Sequence, residues 1–572
     1  MQAGGRESDP RQLHHHAYSV NRTVHFFYER KHTMKKLSHF TLLTLSLLMT
    51  TSCVFLDDGS APVTDKSSTA SNESQTSNES VDGKASESSS KAEASYSKLK
   101  TNFTQQDFCN ITNYPYMPST GEVNVLVIPV VVSDYKNNAT DKVKQDIKTA
   151  MFGDADETGW ESLASYYEKS SYGKLKIKGT VSDWYNPNLT STQMSKKDDG
   201  NGSESTSLLQ SAVNWYKSTY NTDCSEFDNN NDGYIDGVFL IYSAPDYSQE
   251  SKLDSSLFWA YTTMDYDATS ATTGANPCYY FWASYDFIYS EYGNSEVDAH
   301  TFIHETGHML SLQDYYSYTT KDKSGYTSYS PMGDITMMDH NVCDLDAFSK
   351  FDLDWVEPYY VDKAGTITID STTLNGDCII IPTTKSDVEN PYDEYIMIEF
   401  LTIDGLNQQD LTEGYESQDY YNEITKDGIR VYHVDNRLCQ FSSDNYGSAT
   451  NIKYVTDISK IDVNNYYYYT SHENTPAGYD GNGDYSSGYN YLDPEYRTIT
   501  QLSKSGRVFA TNDYRVNDKD LYHEGDIFTF SDSSMQNQFP NKSKTNDGSD
   551  ISFSFMVDKI EDKKATISFF IN

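Results

Sequence analysis

The sequence predicts an α+β protein. Its first folded half has helices packed on a twisted sheet around one functional helix, and its second half is β-rich and sandwich-like. Three observations carry this. Between residues 111 and 360, apolar β-branched runs alternate with stretches of helical spacing, as in "VNVLVIPVVVSD" (123–134) followed by "DKVKQDIKTAMF" (141–152). After Pro358 the texture changes to short strands set between Asn, Asp and Gly: "GTITID", "CIIIPTT", "YIMIEF", "GIRVYHVD", "DISFSFMV" and "ATISFFIN". Finally, "HTFIHETGHMLSLQDYY" (300–316) places His300, His304 and His308 one helical turn apart in a chain with 13 histidines.

Taken in order, the chain opens with processing signals. Met34 begins "MKKLSHFTLLTLSLLMTTSC", with two lysines, an apolar run from about Phe40 to Met49, small residues and then Cys53. That run is too short to span a bilayer but has the length of a signal-peptide core. Ending at a cysteine is the pattern of a bacterial lipoprotein, with Cys53 as the lipid anchor, although Thr50 stands where such signals carry leucine. Ordinary secretion is the alternative. Residues 1–33 precede this start and are read as a mis-assigned leader, its "HHH" at 14–16 included. The expected segments are therefore 1–33, a signal at 34–53, a tether at 54–110, a first domain at 111–360 and a second at 361–572. The tether is Ser-rich and nearly free of large apolar side chains, so it cannot bury enough surface to offset its ordering entropy.

Within the first domain, 123–134 suits a central strand and 141–152 a helix capped by Thr140. Residues 159–185 read as helix, a break at Gly173, then strand. A further helix covers about 205–219, and 233–244 is a strand. "CYYFWASYDFIY" (278–289) alternates like an exposed edge strand, and a helix is expected from about Glu296 to Leu310.

Charge narrows the partners. Lys and Arg number 44 against 84 Asp and Glu, a net charge of −40, which repels nucleic acid and anionic membranes and suits an exported protein. Membrane contact is expected only through the lipid anchor, the protein is expected as an extracellular monomer, and its partners as proteins or peptides. Besides Cys53 there are six cysteines, an even number that permits up to three disulfides; no CxxC or Cys/His spacing marks a cysteine zinc site.

The histidine helix carries the chemistry. In HExxH, two imidazoles four residues apart share a helix face and reach one zinc ion, here His304 and His308. Glu305 is turned by about 100° from His304 around the helix, where it addresses a zinc-bound water as general base. Asp314, six residues past His308, is the expected third ligand, and "SPMGDITMMDH" (330–340) offers methionines for an apolar floor. His300 is a rival ligand, read instead as a packing or supporting histidine. Such a set hydrolyses peptide bonds; a zinc hydrolase of non-peptide amides has the same residues.

With its methionine turn, HExxHxxxxxD resembles the metzincin-type zinc peptidases, and specifically the immune-inhibitor-A-type secreted bacterial metallopeptidases. "VLVIPVVVSD", "SLASYYEKSSYGKLKIKGTVSDWY", "HETGHMLSLQDYY", "MGDITMMDHNVCDLDAFSKFDLDWVEP", "EYIMIEF" and "GIRVYHVD" are similar to that family's segments in the same order, over roughly residues 120–570. The resemblance implies a metzincin-like domain with zinc on His304, His308 and Asp314, Glu305 as general base, and Met338 (or Met337) as the turn methionine. This chain departs from the pattern at Ser311, where the family has glycine, and at Cys343 and Leu345. Tyr315, Tyr316 and His340 are candidate oxyanion stabilisers.

"DNNNDGYID" (228–236) spaces Asp228, Asn230, Asp232 and Asp236 around Gly233 like a calcium loop, with the Tyr234 carbonyl as a further donor. The looser "GYDGNGDYSSG" (478–488) reads as a surface loop, and Glu399 and His433 as structural polar groups on strands. The rival to an enzyme is a surface adhesin or carbohydrate-binding protein that kept the fold and lost turnover; intact His304, Glu305 and His308 argue against it.

Overall fold

The computed structural model describes residues 95–198, 203–289, 297–322, 325–385, 388–412, 424–441, 453–470, 497–509, 515–542 and 544–571. The signal segment, Cys53, most of the tether and the 478–488 loop lie outside them. The fold is mixed α and β. Order begins ahead of the expected boundary at residue 110: Lys98 bridges to Tyr359, and a helix spans Gln105–Thr112. Thr104 and Asp107 close a capping box there, while Phe103 and Phe108 bury against Tyr392 and Leu438. These two phenylalanines supply the apolar surface that the Ser-rich segment before them lacks.

The first sheet runs in the order Leu175–Val181, Gly121–Val130, Val238–Tyr242, Tyr279–Ser284, Tyr261–Met264. The first three pairings are parallel and the last antiparallel. Gly121–Val130 lies inside the sheet, as its β-branched run requires, with Val123 and Val125 to Ile128 buried. The strand expected over 233–244 divides into Tyr234–Ile235 and Val238–Tyr242. The edge assignment is corrected: Tyr279–Ser284 is flanked on both sides and buried throughout, and Tyr261–Met264 is the edge. Its alternation misleads because its polar tips are satisfied indoors. Tyr280 Oη meets Ser205 and Thr206, Trp282 Nε1 donates to the Leu257 carbonyl, and Ser284 Oγ donates to that of Ala244.

The helices follow their sequence signals. Asp141–Phe152 begins under Thr140, whose side chain accepts from the Val143 N–H, and Leu163–Ser170 begins under Ser162. Gly173 (φ 76°) makes the break before the next strand, and Ser203–Tyr220 is the long helix expected near 205–219.

In the second half, one sheet is ordered Tyr359–Tyr360, Cys378–Pro382, Glu394–Leu401, Gly428–Asp435, Ile499–Gln501. Another is ordered Gly365–Asp370, Lys564–Ile571, Phe553–Glu561, Ile527–Thr529. Ile396, Ile398 and Val431 from the one share a single apolar cluster with Phe528, Phe555 and Ile567 from the other. Glu399 and His433 are structural, as read: Glu399 pairs with the buried Arg430 at 3.1 Å and His433 with Glu394 at 2.7 Å. Cys109, Cys224, Cys278, Cys343, Cys378 and Cys439 are all buried free thiols. Among the described residues no helix is long and apolar enough to cross a membrane.

One buried carboxylate gives the fold a pH dependence. Burial, with Asp354 nearby, pushes Asp352 up to about 7. A carboxyl raised in the folded state favours folding while protonated, so its contribution falls as pH climbs from about 4 to about 7 and stays low above that. Asp352→Asn, neutral throughout, is expected to gain roughly 1–3 kcal/mol on the wild type between pH 4.5 and pH 8. Urea unfolding at the two pH values checks this; parallel stabilities would refute it.

Candidate metal centre

The helix His300–Met309 is shorter at its start than the span from Glu296, and all but His308 of its residues are buried. Its end is what builds the site. The Ser311 N–H donates to the His308 carbonyl and the Leu312 N–H to that of Gly307, both at 3.0–3.1 Å. This is a Schellman closure with Ser311 at the left-handed position, φ 85°. Ser311 therefore adopts the unfavourable angle itself instead of a different bend, and its buried hydroxyl has no hydrogen-bond partner.

The reversal returns Asp314 to the helix. Asp314 Oδ1 lies 3.0 Å from His304 Nε2 and 3.3 Å from His308 Nε2, and the three donor atoms fall within 4.8 Å of one another. The far nitrogens are both held by backbone carbonyls at 2.8 Å: His304 Nδ1 by Met337 and His308 Nδ1 by Leu312. Each ring is thus held at Nδ1 and turns its Nε2 to the centre. Two imidazoles and a carboxylate converging in this way could hold a metal ion. Among the described residues this is the only place where three His, Cys, Asp or Glu donors come together so.

Burial disfavours charge on His308, but Asp314 beside it wins and lifts the imidazole to about 9. Burial would raise Asp314, yet the two imidazoles hold it well below the usual carboxylate range. Glu305 is raised by burial, against the pull of His308 and His304, and its Oε2 is buried with no hydrogen-bond partner. An orphaned carboxylate oxygen in such a place calls for a solvent or substrate proton as its partner.

The methionines behave as a floor. A Cβ added at Gly307 would strike the Met338 sulfur, so the HETGH glycine is required for the helix to sit on Met338. The Met338 carbonyl accepts from the Tyr315 N–H, and Met337 contributes the carbonyl on His304. Of the oxyanion candidates, Tyr315 is turned away onto Ser349, Tyr316 lies with its ring 6.4 Å from that of His304, and His340 faces Asp334 at 3.9 Å. His300 is not a ligand: it stacks on Trp160 at 4.2 Å and bonds Asp298 and Asp410.

One residue that sequence reading missed is Thr262, on the edge strand, whose hydroxyl donates to the Glu305 carbonyl at 2.8 Å. Nothing local in "YTTM" marks it.

In the 228–236 loop, Asp228 accepts from the N–H of Asp232 and Gly233, Asn230 from Asp232, Asp232 from Tyr234, and Asp236 from Asn229. Burial pushes Asp236 up to about 7. Asp228, Asp232 and Asp236 do not gather into a donor cluster of the His304–His308–Asp314 kind among the described residues.

No protein-family model matches this chain, and no curated protein matches it in sequence.

Ser311 makes the site's strain measurable. Ser311→Gly is expected to raise unfolding stability by about 1 kcal/mol, since glycine takes a positive φ freely and the orphaned hydroxyl is removed. An unchanged or lowered urea midpoint would contradict the strained turn.

Proposed function

We propose that this chain is a zinc-dependent endopeptidase of the immune-inhibitor-A type. In this reading the first half is metzincin-like, the second a β-sandwich, and the protein is exported and held at a bacterial surface through Cys53. What carries the reading is the convergence of His304 Nε2, His308 Nε2 and Asp314 Oδ1 beside Glu305, whose buried Oε2 has no hydrogen-bond partner.

Zinc held by these three would supply a Lewis acid that polarises a peptide carbonyl and acidifies a water. The remaining work falls to the chain's own groups. Glu305 takes one proton from the attacking water as its oxygen bonds the carbonyl carbon, then delivers that proton to the departing amine as the C–N bond breaks. Burial, by raising Glu305 above the usual range, makes it a better acceptor and donor for this exchange. Met337 and Leu312 keep the imidazoles oriented. Among the described residues Tyr261–Met264 pairs with a strand on one side only, so that edge suits an extended peptide, and Thr262 ties it to the Glu305 carbonyl. The substrate strand is thus assigned to Tyr261–Met264, in place of 278–289.

The deciding assay follows cleavage of an unfolded protein substrate. Glu305→Gln is expected to lower kcat by about 10²–10⁴-fold while zinc stays bound, and a chelator to abolish wild-type cleavage until zinc is restored. Equal cleavage by the variant, or an inert wild type with zinc in place, would overturn the reading and favour a binding protein.

We also propose a structural calcium ion in the 228–236 loop, where Gly233 (φ 88°) makes the turn and Asp236 is buried. A calcium-selective chelator is expected to lower the melting temperature by a few degrees; no change would remove this ion from the protein.

A further inference from the structure

His300 raises a physical problem. It is the first residue of the metal helix and 1 % exposed, yet two carboxylates bracket its imidazole and favour its charged form: Asp298 at 2.6 Å on Nδ1 and Asp410 at 3.4 Å on Nε2. A cation at a helix N-terminus opposes the helix dipole, and burial adds a desolvation cost. Nothing on the helix itself requires the charge. Its partner Asp410 lies 110 residues away, on the short helix Gln408–Thr412 of the second half.

The second oxygen of Asp410 accepts from the Cys343 N–H. Cys343 has φ 62°, an angle that side chains rarely adopt, and its carbonyl accepts from Tyr166 Oη at 3.1 Å. The strained residue is therefore latched on both its polar groups. It follows closely on the short helix Met337–His340, whose first residue, Met337, holds His304 Nδ1 with its carbonyl. A closed path results: from His300 through Asp410 to Cys343, along the turn to Met337, and back to His304 one helical turn from the start.

We propose that Asp410 is a positioning residue of the metal centre. By bridging His300 and the Cys343 N–H, it sets the turn that aims the His304 imidazole. The inference rests on the zinc-centre reading above. It gives the second half of the chain a direct share in the first half's chemistry. Supporting carbonyls and carboxylates of this kind commonly change metal affinity by about 10–100-fold when lost.

The experiment measures zinc retention by the full chain against a competing chelator, with the absorption spectrum of the cobalt-substituted protein and the urea midpoint of each variant alongside. Asp410→Ala and His300→Gln are expected to weaken zinc binding by about 10–100-fold and to shift the cobalt bands. Asp410→Asn keeps an oxygen for the Cys343 N–H and is expected to recover most of the affinity. A merely structural role would lower the urea midpoint and leave the folded fraction's affinity and spectrum unchanged, and that result would overturn the proposal. Should Asp410→Ala fail to fold, His300→Gln against Asp410→Asn decides it, because wild-type affinity in both refutes the path. A wild type that binds zinc without cleaving anything still decides the role of Asp410. A wild type that holds no zinc overturns the zinc-centre reading, and this inference with it.

Discussion

The site depends on where the metal helix stops. Had the helix run on past Met309, Asp314 would stand about 9 Å further along the axis than His308, out of reach of any shared ion. The reversal at Ser311 brings it back within 3.3 Å of both Nε2 atoms. Glycine enters such a turn without strain; here serine does so at φ 85°, held by the two closing hydrogen bonds and by the burial of Leu310 and Leu312 around it. A local backbone cost is thus offset by tertiary packing, which is the usual arrangement at functional positions.

Around that reversal, backbone carbonyls do most of the orienting. Met337 and Leu312 fix the two imidazoles, Met338 fixes Tyr315, and Tyr167 Oη reaches the Ile303 carbonyl from the helix alongside. Carbonyl partners at each Nδ1 fix the ring orientation and turn both Nε2 atoms toward Asp314.

The second half is bound into this arrangement. The segment 331–347 receives hydrogen bonds from it along its length. The Gln501 N–H donates to the Pro331 carbonyl, Arg430 to Met332 and the Val516 N–H to Gly333, while Asn407 and Glu399 accept from the N–H groups of Asp344 and Ala347. Outside the short helix Met337–His340 the segment has little ladder of its own, so backbone and side-chain groups from elsewhere satisfy it.

What the sequence by itself determined is local. His304 and His308 sit four apart, which any helix places on one face, and a cap at Thr140 or a β-branched run at 123–134 acts within its own few residues. Asp314 was legible for the same reason, being six residues from a ligand. Tertiary structure alone decided which strand is the edge, that Phe103 and Phe108 order the end of the tether, and that Asp410 meets His300. "YTTM" carries no periodic signal, and the polar tips that made 278–289 look exposed found partners inside. Periodicity reports how a segment faces its immediate surroundings; it does not report what the rest of the chain brings to the other side, because that contact is made only when segments far apart in sequence are packed together.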